Sequence, residues 1–149
     1  MMVSTRGRYA LRVMLDLAEN RNEGYIPMKE VAQRQELSLK YIERIIPVLS
    51  KNHYVEGVQG KGGGYRLTRK PEDYRVGDIL RLTEGELVPV SCLKCNAEAC
   101  RRADICKTLP MWKEFYRMVN DYFDHITLSD LMGQNIRSDR AERISEKTD

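Results

Sequence analysis

The sequence predicts a mainly α-helical chain with one small β-hairpin and a long helix near its C-terminus. Apolar residues recur at helical spacing through most of the 149 residues, two β-type runs flank the glycine cluster GKGGG, and the four cysteines all fall within residues 92–106. A chain of this length forms one ordinary domain with appendages. We therefore expect a compact regulatory or binding protein rather than a two-lobed enzyme.

Three helices are predicted in the N-terminal third of the chain. Apolar residues at three- and four-residue steps predict a first helix over Thr5–Glu19, and a short second helix is predicted over Met28–Gln35. Ser38 is a suitable N-cap for a third helix that ends near Leu49. Pro47 should kink or end that helix, because proline removes a backbone hydrogen bond. Two short helices separated by a tight turn are typical of a helix-turn-helix.

A β-hairpin is predicted after the third helix. The runs Tyr54–Val58 and Tyr65–Leu67 bracket the glycines, as two strands joined by a turn would. A helix-turn-helix followed by a hairpin is a winged helix. The glycines match neither the GxxxxGK[ST] pattern nor the strand-to-helix context of a phosphate loop, which excludes a nucleotide-dependent enzyme of that class.

Three further helices are predicted beyond the hairpin. A helix over about Val76–Thr83 is expected to pack beneath the wing, Pro110 opens a long helix, and Thr127 can cap a short helix that ends near Met132. On the long helix, apolar side chains recur in the three-four alternation of paired helices, at Trp112, Phe115, Val119, Tyr122 and Ile126. Packing within the chain is the alternative, but the stripe is long for so small a domain. We predict a homodimer formed through Trp112, Phe115, Val119 and Tyr122.

The charge distribution indicates which half of the chain meets a polyanion. Residues 1–75 hold fourteen Lys and Arg against nine Asp and Glu, whereas residues 76–149 have a net charge of −2. The second helix of a helix-turn-helix presents the outward face of its first turns to the major groove. The predicted contacts with a double-stranded DNA operator are Ser38, Lys40, Tyr41, Glu43 and Arg44 on that helix, with Gln59, Gly60 and Lys61 in the wing.

The four cysteines predict a metal centre. Cys92, Cys95, Cys100 and Cys106 have the spacing C-x2-C-x4-C-x5-C in a polar segment with too few apolar residues to form its own core. The short first gap is typical of zinc sites and the wider gaps resemble loops around iron-sulfur clusters, so spacing alone leaves both open. A disulfide pair is disfavoured because the chain shows no sign of secretion.

These features divide the chain into four parts. We predict a winged helix-turn-helix DNA-binding domain at residues 1–83, a cysteine-rich cluster-binding loop at 84–110, a dimerisation helix with a short terminal helix at 111–133, and a disordered polar tail at 134–149. Arg12 and Asp16 interrupt the only N-terminal apolar run, and no stretch approaches the roughly 18 apolar residues of a membrane span. We expect a cytoplasmic protein with no membrane partner.

Several of these segments together resemble a known family. TRGRYALRVMLDLA, LSLKYIERI, GKGGGYRL, VGDIL, the cysteines and ITLSDLM occur in this order over about residues 1–132. The chain is thereby similar to the IscR, NsrR and CymR family of bacterial winged-helix regulators, and most similar to the IscR branch. The resemblance implies a homodimeric transcription regulator, acting as a repressor or activator. In the IscR and NsrR branches it implies a cluster, here expected to be 2Fe-2S, held by three cysteines; the CymR branch lacks those cysteines.

The fourth ligand of such a cluster departs from the family pattern. Leu109 stands where IscR has a ligating histidine, and Arg8 stands where NsrR-like relatives supply a carboxylate from the partner subunit. The additional cysteine is the economical replacement, with Glu98 and Asp104 as alternatives. Whether Cys92 or Cys95 matches the first family cysteine stays open.

Three function hypotheses follow. The first is a DNA-binding iron-sulfur sensor, and the second is a zinc-binding or thiol-switched DNA regulator without a cluster. The third is a thiol redox enzyme using Cys92 and Cys95, for which the sequence supplies no recognisable Cys-His motif. We therefore predict a regulator without catalytic residues.

Overall fold

The computed structural model describes residues 3–133, and in that range the chain is mainly helical with a two-stranded antiparallel sheet. The elements are α1 (Thr5–Glu19), α2 (Met28–Gln35), α3 (Leu39–Lys51), β1 (Val55–Val58), β2 (Gly64–Leu67), α4 (Val76–Glu84), α5 (Leu109–Asp124) and α6 (Leu128–Gly133). Single 3-10 turns lie at residues 21–23, 71–73 and 91–93. The predicted fold class is confirmed, while the predicted polar tail lies outside the described residues.

Helix α1 lies at the centre of the main core. Its inward face has no solvent exposure, and α2, α3, α4, α6 and β2 all pack against it. The fully buried residues of that face are Ala10, Val13, Met14, Leu17 and Ala18. Burial of this stripe is the main apolar contribution that α1 makes to folding.

Helix α3 runs through Pro47 and continues to Lys51, two residues beyond the predicted end near Leu49, so Pro47 does not end the helix. Pro47 lies on the exposed side of the helix, where the carbonyl that loses its partner can face water. The opposite side is held in the core by Ile42, Ile45 and Leu49, each fully buried. Packing therefore outweighs the missing backbone hydrogen bond.

The predicted hairpin forms the wing, defined as β1, β2 and the turn between them. Val55 pairs with Leu67 and Val58 with Gly64. Tyr74, 1% exposed, fixes the base of the wing because its hydroxyl donates to the Tyr54 carbonyl at 2.7 Å. The same oxygen accepts the amide hydrogens of Thr68 and Arg69, each at 3.0 Å. One buried phenol thus holds both ends of the hairpin together.

Helix α4 packs mainly against α1, α5 and α3, rather than beneath the wing as the sequence suggested. Its buried residues Val76, Ile79 and Leu80 connect two apolar clusters. Ile79 belongs to the main core, whereas Val76 and Leu80 join a second cluster with Leu87 and Ile126. Helix α4 is therefore the support on which α5 rests.

Helix α6 returns the chain to the main core. Thr127 caps it as predicted: the Asp130 amide donates to Thr127 Oγ1 at 3.1 Å and the Thr127 amide donates to Asp130 Oδ2 at 2.9 Å. Leu128 is fully buried beside α1. Ile126 is also buried, at 5% exposure, so it does not continue the exposed stripe of α5 as predicted. The chain after α5 thus packs with the winged helix.

No helix among residues 3–133 is long and apolar enough to cross a membrane.

Candidate nucleic-acid interface and candidate metal centre

Helix α3 presents most of the predicted DNA-contacting residues to solvent. Its N-cap is Ser38, whose side chain accepts the Tyr41 amide hydrogen at 3.1 Å. Ser38, Lys40, Glu43 and Arg44 are exposed. Tyr41 is half-buried, with its ring edge-on to Tyr9 at a centroid distance of 5.2 Å. The structure therefore gathers a charged outward surface on the first two turns and places Tyr41 at its edge.

A buried carboxylate fixes the turn that leads into α3. Asp16 is 2% exposed and accepts two hydrogen bonds from Arg34, at 2.8 and 3.1 Å, and one from Gln35 at 3.0 Å. Arg12 also donates to the side chain of Gln35 at 3.2 Å. Helix α2 ends directly afterwards at Glu36, which has a left-handed backbone with φ 54°. This network joins α1 to the end of α2 and so orients α3.

Sequence reasoning missed this network, although a signal was present. Asp16 lies between Val13 and Leu17 on the apolar stripe of α1, where a carboxylate is out of place unless it is paired. Its partners lie on another helix, so sequence spacing alone gives no way to identify them.

The tip of the wing carries Gln59, Gly60 and Lys61, and all three residues are exposed. Gly60 and Gly62 have φ values of 94° and 79°, which favour glycine, and the Gly63 amide donates to the Gly60 carbonyl at 3.0 Å. The two backbone conformations and this hydrogen bond shape a tight turn whose backbone lies at the surface. Lys61 therefore occupies the tip of a defined turn.

Other wing glycines are required by packing. A Cβ on Gly64 would lie 2.2 Å from the Ile26 carbonyl oxygen, because Ile26 and Tyr65 exchange two backbone hydrogen bonds of 2.9 Å. A Cβ on Gly57 would lie 2.5 Å from the ring of Tyr65. The segment before α2 thus forms a short antiparallel bridge with strand β2 of the wing. The glycine motif reflects this close packing as well as the exposed turn.

Two basic residues that follow the wing glycines are used within the domain. Arg66 donates to Glu56 on the neighbouring strand at 2.6 Å and its guanidinium lies 4.4 Å from the centre of the Tyr25 ring. Arg69 lies over the rings of Tyr54 and Tyr74, at 4.8 and 4.7 Å. These two side chains stabilise the wing, which leaves Lys61 as the cation placed at its tip.

The cysteine loop, residues 85–108, connects α4 to α5 and is largely irregular apart from the 3-10 turn at residues 91–93. Cys92, Cys95 and Cys100 are exposed, Cys106 is half-buried, and all four are free thiols. Ile105, the largest apolar residue between Cys100 and Cys106, is 66% exposed. Within residues 3–133, no three His, Cys, Asp or Glu side chains are gathered closely enough to hold a metal ion. The fold alone does not assemble the predicted centre, because the loop has no core to fix its shape.

The donor chemistry of the loop nevertheless fits a thiophilic metal. Four free thiols lie within fifteen residues, and a hydrogen bond from Thr108, at 3.3 Å, lowers the pKa of Cys106, with backbone amides and Arg102 acting in the same direction. The thiolate is the form that binds metals. Leu109, the first residue of α5, carries no ligand atom, and exposed Arg8 donates to Thr5 on α1. The donors that the loop itself can supply at the fourth position are an additional thiolate and the carboxylates of Glu98 and Asp104.

The loop is tied to the domain at both ends. Leu87, 3% exposed, lies in the second apolar cluster, and its carbonyl accepts a hydrogen bond from Asn120 at 3.2 Å. Glu86 accepts the amide hydrogen of Cys95 at 3.0 Å, and Cys106 lies three residues before α5. The loop is thus attached directly to the junction of α4 and α5.

Helix α5 carries an apolar surface, and none of its 16 residues is buried. A groove along it is lined by Phe115, Met118, Val119, Tyr122 and Phe123. Phe115 and Met118 are 42% and 56% exposed. Trp112, also in the predicted seam, packs edge-on against Phe115 at 6.5 Å between ring centres. Three of the four predicted dimerisation residues therefore line one groove, with Trp112 beside it.

The far end of α5 is fixed to the winged helix. Arg81 of α4 donates to both oxygens of Asp124, at 2.7 and 3.0 Å, and to Asn120 at 2.7 Å. The Val76 amide donates to the Ile126 carbonyl at 2.8 Å. A Cβ on Gly77 would lie 2.1 Å from Asp124, so this glycine permits the close approach. Sequence periodicity carries no signal for these contacts, because they join residues far apart in the chain.

The fold and the wing define a winged-helix DNA-binding protein. Over residues 3–134 the sequence matches the Rrf2 family, described as "Iron-dependent Transcriptional regulator". It is 40% identical to protein rrf2 of Nitratidesulfovibrio vulgaris, over 89% of this chain and 87% of that protein. It is 35% identical to the HTH-type transcriptional regulator IscR of Aliivibrio salmonicida, over 91% of this chain and 79% of that protein.

Solved structures agree with this assignment. CymR (YrzC), the global cysteine regulator of B. subtilis, superposes with a TM-score of 0.74 at 32% identity, covering 90% of this chain and 98% of that one. T. potens IscR gives a TM-score of 0.71 at 36% identity, covering 91% and 88%. The chain belongs to the Rrf2 family of transcriptional regulators. It is a DNA-binding regulator, and its relatives are not enzymes.

We predict that Asp16→Ala destabilises the domain by about 2–3 kcal/mol, because it removes three hydrogen bonds and leaves Arg34 and Gln35 without their buried partner. Urea unfolding measures the loss. Glu30→Ala is the matched control, since Glu30 is 52% exposed and meets Arg34 at 3.5 Å; it should cost less than about 1 kcal/mol. Equal losses would show that the buried carboxylate has no special role.

Proposed function

We propose that the protein is a homodimeric regulator that binds a pseudo-palindromic DNA operator and senses iron-sulfur status, or a related redox signal, through its cysteines. The observation that carries this proposal is the position of four free thiols in a coreless loop between the DNA-binding domain and α5. The protein would act where its operator DNA lies, in the cytoplasm. Relatives named IscR support the cluster, and the described structure contributes the donor set.

For DNA binding, we propose that α3 enters the major groove with Ser38, Lys40, Tyr41, Glu43 and Arg44 towards the bases. A carboxylate repels phosphate and accepts hydrogen bonds only from donors such as the amino group of cytosine. Exposed Glu43 would therefore contribute to sequence choice more than to affinity. The exposed neighbours Lys40 and Arg44 carry the positive charge that is attracted to the DNA phosphate backbone.

For the wing, we propose that Gln59, Gly60 and Lys61 contact the backbone or minor groove and contribute mainly affinity. Arg66 and Arg69 are held by Glu56 and by tyrosine rings, so the available cation at the tip is Lys61.

We expect Lys61→Ala to weaken operator binding and to lower the magnitude of the log-log salt slope by about one for each wing engaged. Affinity measured at several salt concentrations gives the slope. Lys113→Ala, which removes the same charge on α5, should leave the slope unchanged. A Lys61→Ala protein with wild-type affinity and slope would exclude the wing from the interface.

For the dimer, we propose that two α5 helices pair through Trp112, Phe115, Val119 and Tyr122. The groove on α5 supports this, because an exposed apolar patch on a helix with no buried residue commonly marks a protein interface. A two-fold dimer presents two α3 helices, and these enter successive major grooves when they lie about 34 Å apart.

The double variant Phe115→Glu, Val119→Glu should be monomeric, because like charges would meet across the two-fold axis, and it should bind the operator more weakly. Sedimentation velocity gives the oligomeric state. Lys113→Glu, on an exposed polar position of the same helix, serves as the control and should stay dimeric. A double variant that sediments as a dimer would rule out this seam.

For the metal centre, we propose Cys92, Cys95, Cys100 and Cys106 as ligands of a 2Fe-2S cluster, with Glu98 and Asp104 as alternatives for the fourth position. When bound, such a cluster supplies a group whose presence and oxidation state depend on iron supply and oxidants. Zinc is the alternative cofactor, favoured by the two-residue gap between Cys92 and Cys95. The other alternative to a cluster is a regulator that responds through oxidation of its thiols and binds no metal.

The proposed coupling to DNA acts at the α4–α5 junction. Gathering the four thiolates would shorten and order a loop held at Leu87 on one side and at α5 on the other. The C-terminal end of α5 is fixed by Arg81 and by the Ile126 backbone, so the N-terminal half is the part free to reorient. That half carries Trp112 and Phe115 of the proposed seam, so its orientation sets the spacing of the two α3 helices.

Protein purified without oxygen should contain iron and acid-labile sulfide at about two of each per chain, with visible absorption. Cys100→Ser and Cys106→Ser should lose both while remaining folded dimers, whereas Lys94→Ser, a nearby exposed control, should retain them. On a panel of selected operators, the cluster-free variants should differ from the loaded wild type for at least some sites.

Two outcomes would contradict parts of this proposal. If the purified protein contains zinc and no acid-labile sulfide, the cluster hypothesis is wrong and the zinc hypothesis holds. If all preparations bind every site with the same affinity, the cysteines do not control DNA binding, and the metal has a structural role only.

A further inference from the structure

Leu39 is an apolar residue of α3 that the core does not enclose. The other aliphatic residues on this helix face, Ile42, Ile45, Ile46 and Leu49, are between 0% and 4% exposed, whereas Leu39 is 38% exposed. A single exposed leucine is common on protein surfaces and assigns no role by itself. The position of Leu39, directly after the N-cap Ser38, is what gives it significance.

Leu39 borders the charged outward surface of α3. It lies one helical turn before Glu43, and residues four apart on a helix are neighbours with about 5–6 Å between their Cβ atoms. Lys40 and Arg44 follow on the outward side, both exposed. At the opposite edge, Tyr41 is half-buried against Tyr9. An exposed aliphatic group and a carboxylate therefore share one edge of the helix.

The hydroxyl of Ser38 is already engaged in capping, since it accepts the Tyr41 amide hydrogen at 3.1 Å. The first turn of α3 thus offers DNA an aliphatic side chain at Leu39 beside cationic Lys40. Most base edges in the major groove are polar, and the apolar feature among them is the C5-methyl group of thymine. On the base edges, an aliphatic side chain therefore finds its largest apolar contact at the thymine methyl group.

We propose that Leu39 recognises the C5-methyl group of a thymine in each operator half-site, one or two base steps from the base pair recognised by Glu43. The spacing follows from the Cβ separation of about 5–6 Å against a base rise of about 3.4 Å. This inference rests on the proposed placement of α3 in the major groove. It adds a predicted sequence feature of the operator, which charge and hydrogen bonding alone do not give.

The test uses an operator obtained by selection from randomised DNA with the full-length wild-type protein. Each thymine of one half-site is replaced in turn by deoxyuridine, which lacks only the methyl group. At one position this should weaken wild-type binding about three- to fivefold, the effect of one buried carbon group. Leu39→Ala should bind both DNAs equally at that position, so that the two changes are coupled.

Val58→Ala is the matched control, because Val58 is an exposed aliphatic residue, 48% exposed, on the wing instead of α3. It should retain the wild-type response to deoxyuridine at every position. Circular dichroism and sedimentation check that each variant is folded and has the wild-type oligomeric state.

The inference is overturned if every deoxyuridine substitution affects wild type and Leu39→Ala by the same factor. It is also overturned if the selected half-site has no thymine within two steps of the base pair sensitive to Glu43→Ala. If Lys40→Ala, Glu43→Ala and Leu39→Ala all leave affinity and preference unchanged, α3 is not in the groove and the proposed placement fails as well. A relaxed preference in Glu43→Ala without thymine coupling contradicts the Leu39 inference alone.

Discussion

Burial of the apolar face of α1 is the constraint on which the other elements depend. Five residues of this helix have no solvent exposure, and α2, α3, α4, α6 and the wing strand β2 all pack against it. Because interiors are packed about as densely as organic crystals, this shared support fixes the relative positions of the packed elements. The outward surface of α3 and the tip of the wing are therefore presented by a single rigid core.

Polar contacts fix the orientation of two helices that apolar packing alone does not fully restrain. Asp16 holds the end of α2, and Asp124 holds α5 against Arg81. Each pair restrains the elements that it joins, because its charge-assisted hydrogen bonds have a defined geometry. One pair sets the direction of the helix proposed to enter DNA. The other sets the direction of the helix proposed to form the dimer.

The sequence predicted the local elements well, since helical periodicity, the Ser38 and Thr127 caps and the glycine hairpin are encoded within a few residues. Errors arose where distant parts meet. Ile126 fits the periodicity of the α5 stripe but turns into the second cluster, and α4 packs on α1 rather than beneath the wing. The roles of Asp16, Tyr74 and Arg81 depend on partners on other elements. A single sequence does not indicate which residues of distant elements meet. For the candidate site, the residue types were predictable, whereas the arrangement of the cysteines was not.

The cysteine loop has the properties that the proposed response to a metal or cluster requires. Its cysteine segment has too few apolar residues to form a core, so metal ligation would compensate the entropy of ordering, and the ordered and open forms would differ mainly by metal binding. A ligand shifts an equilibrium only by its differential affinity for the two states. Because the loop joins the junction at Leu87 to the start of α5, that difference would act on the orientation of α5. The core of the DNA-binding domain lies outside the loop, so both proposed forms would remain folded while their affinities for a given operator differ.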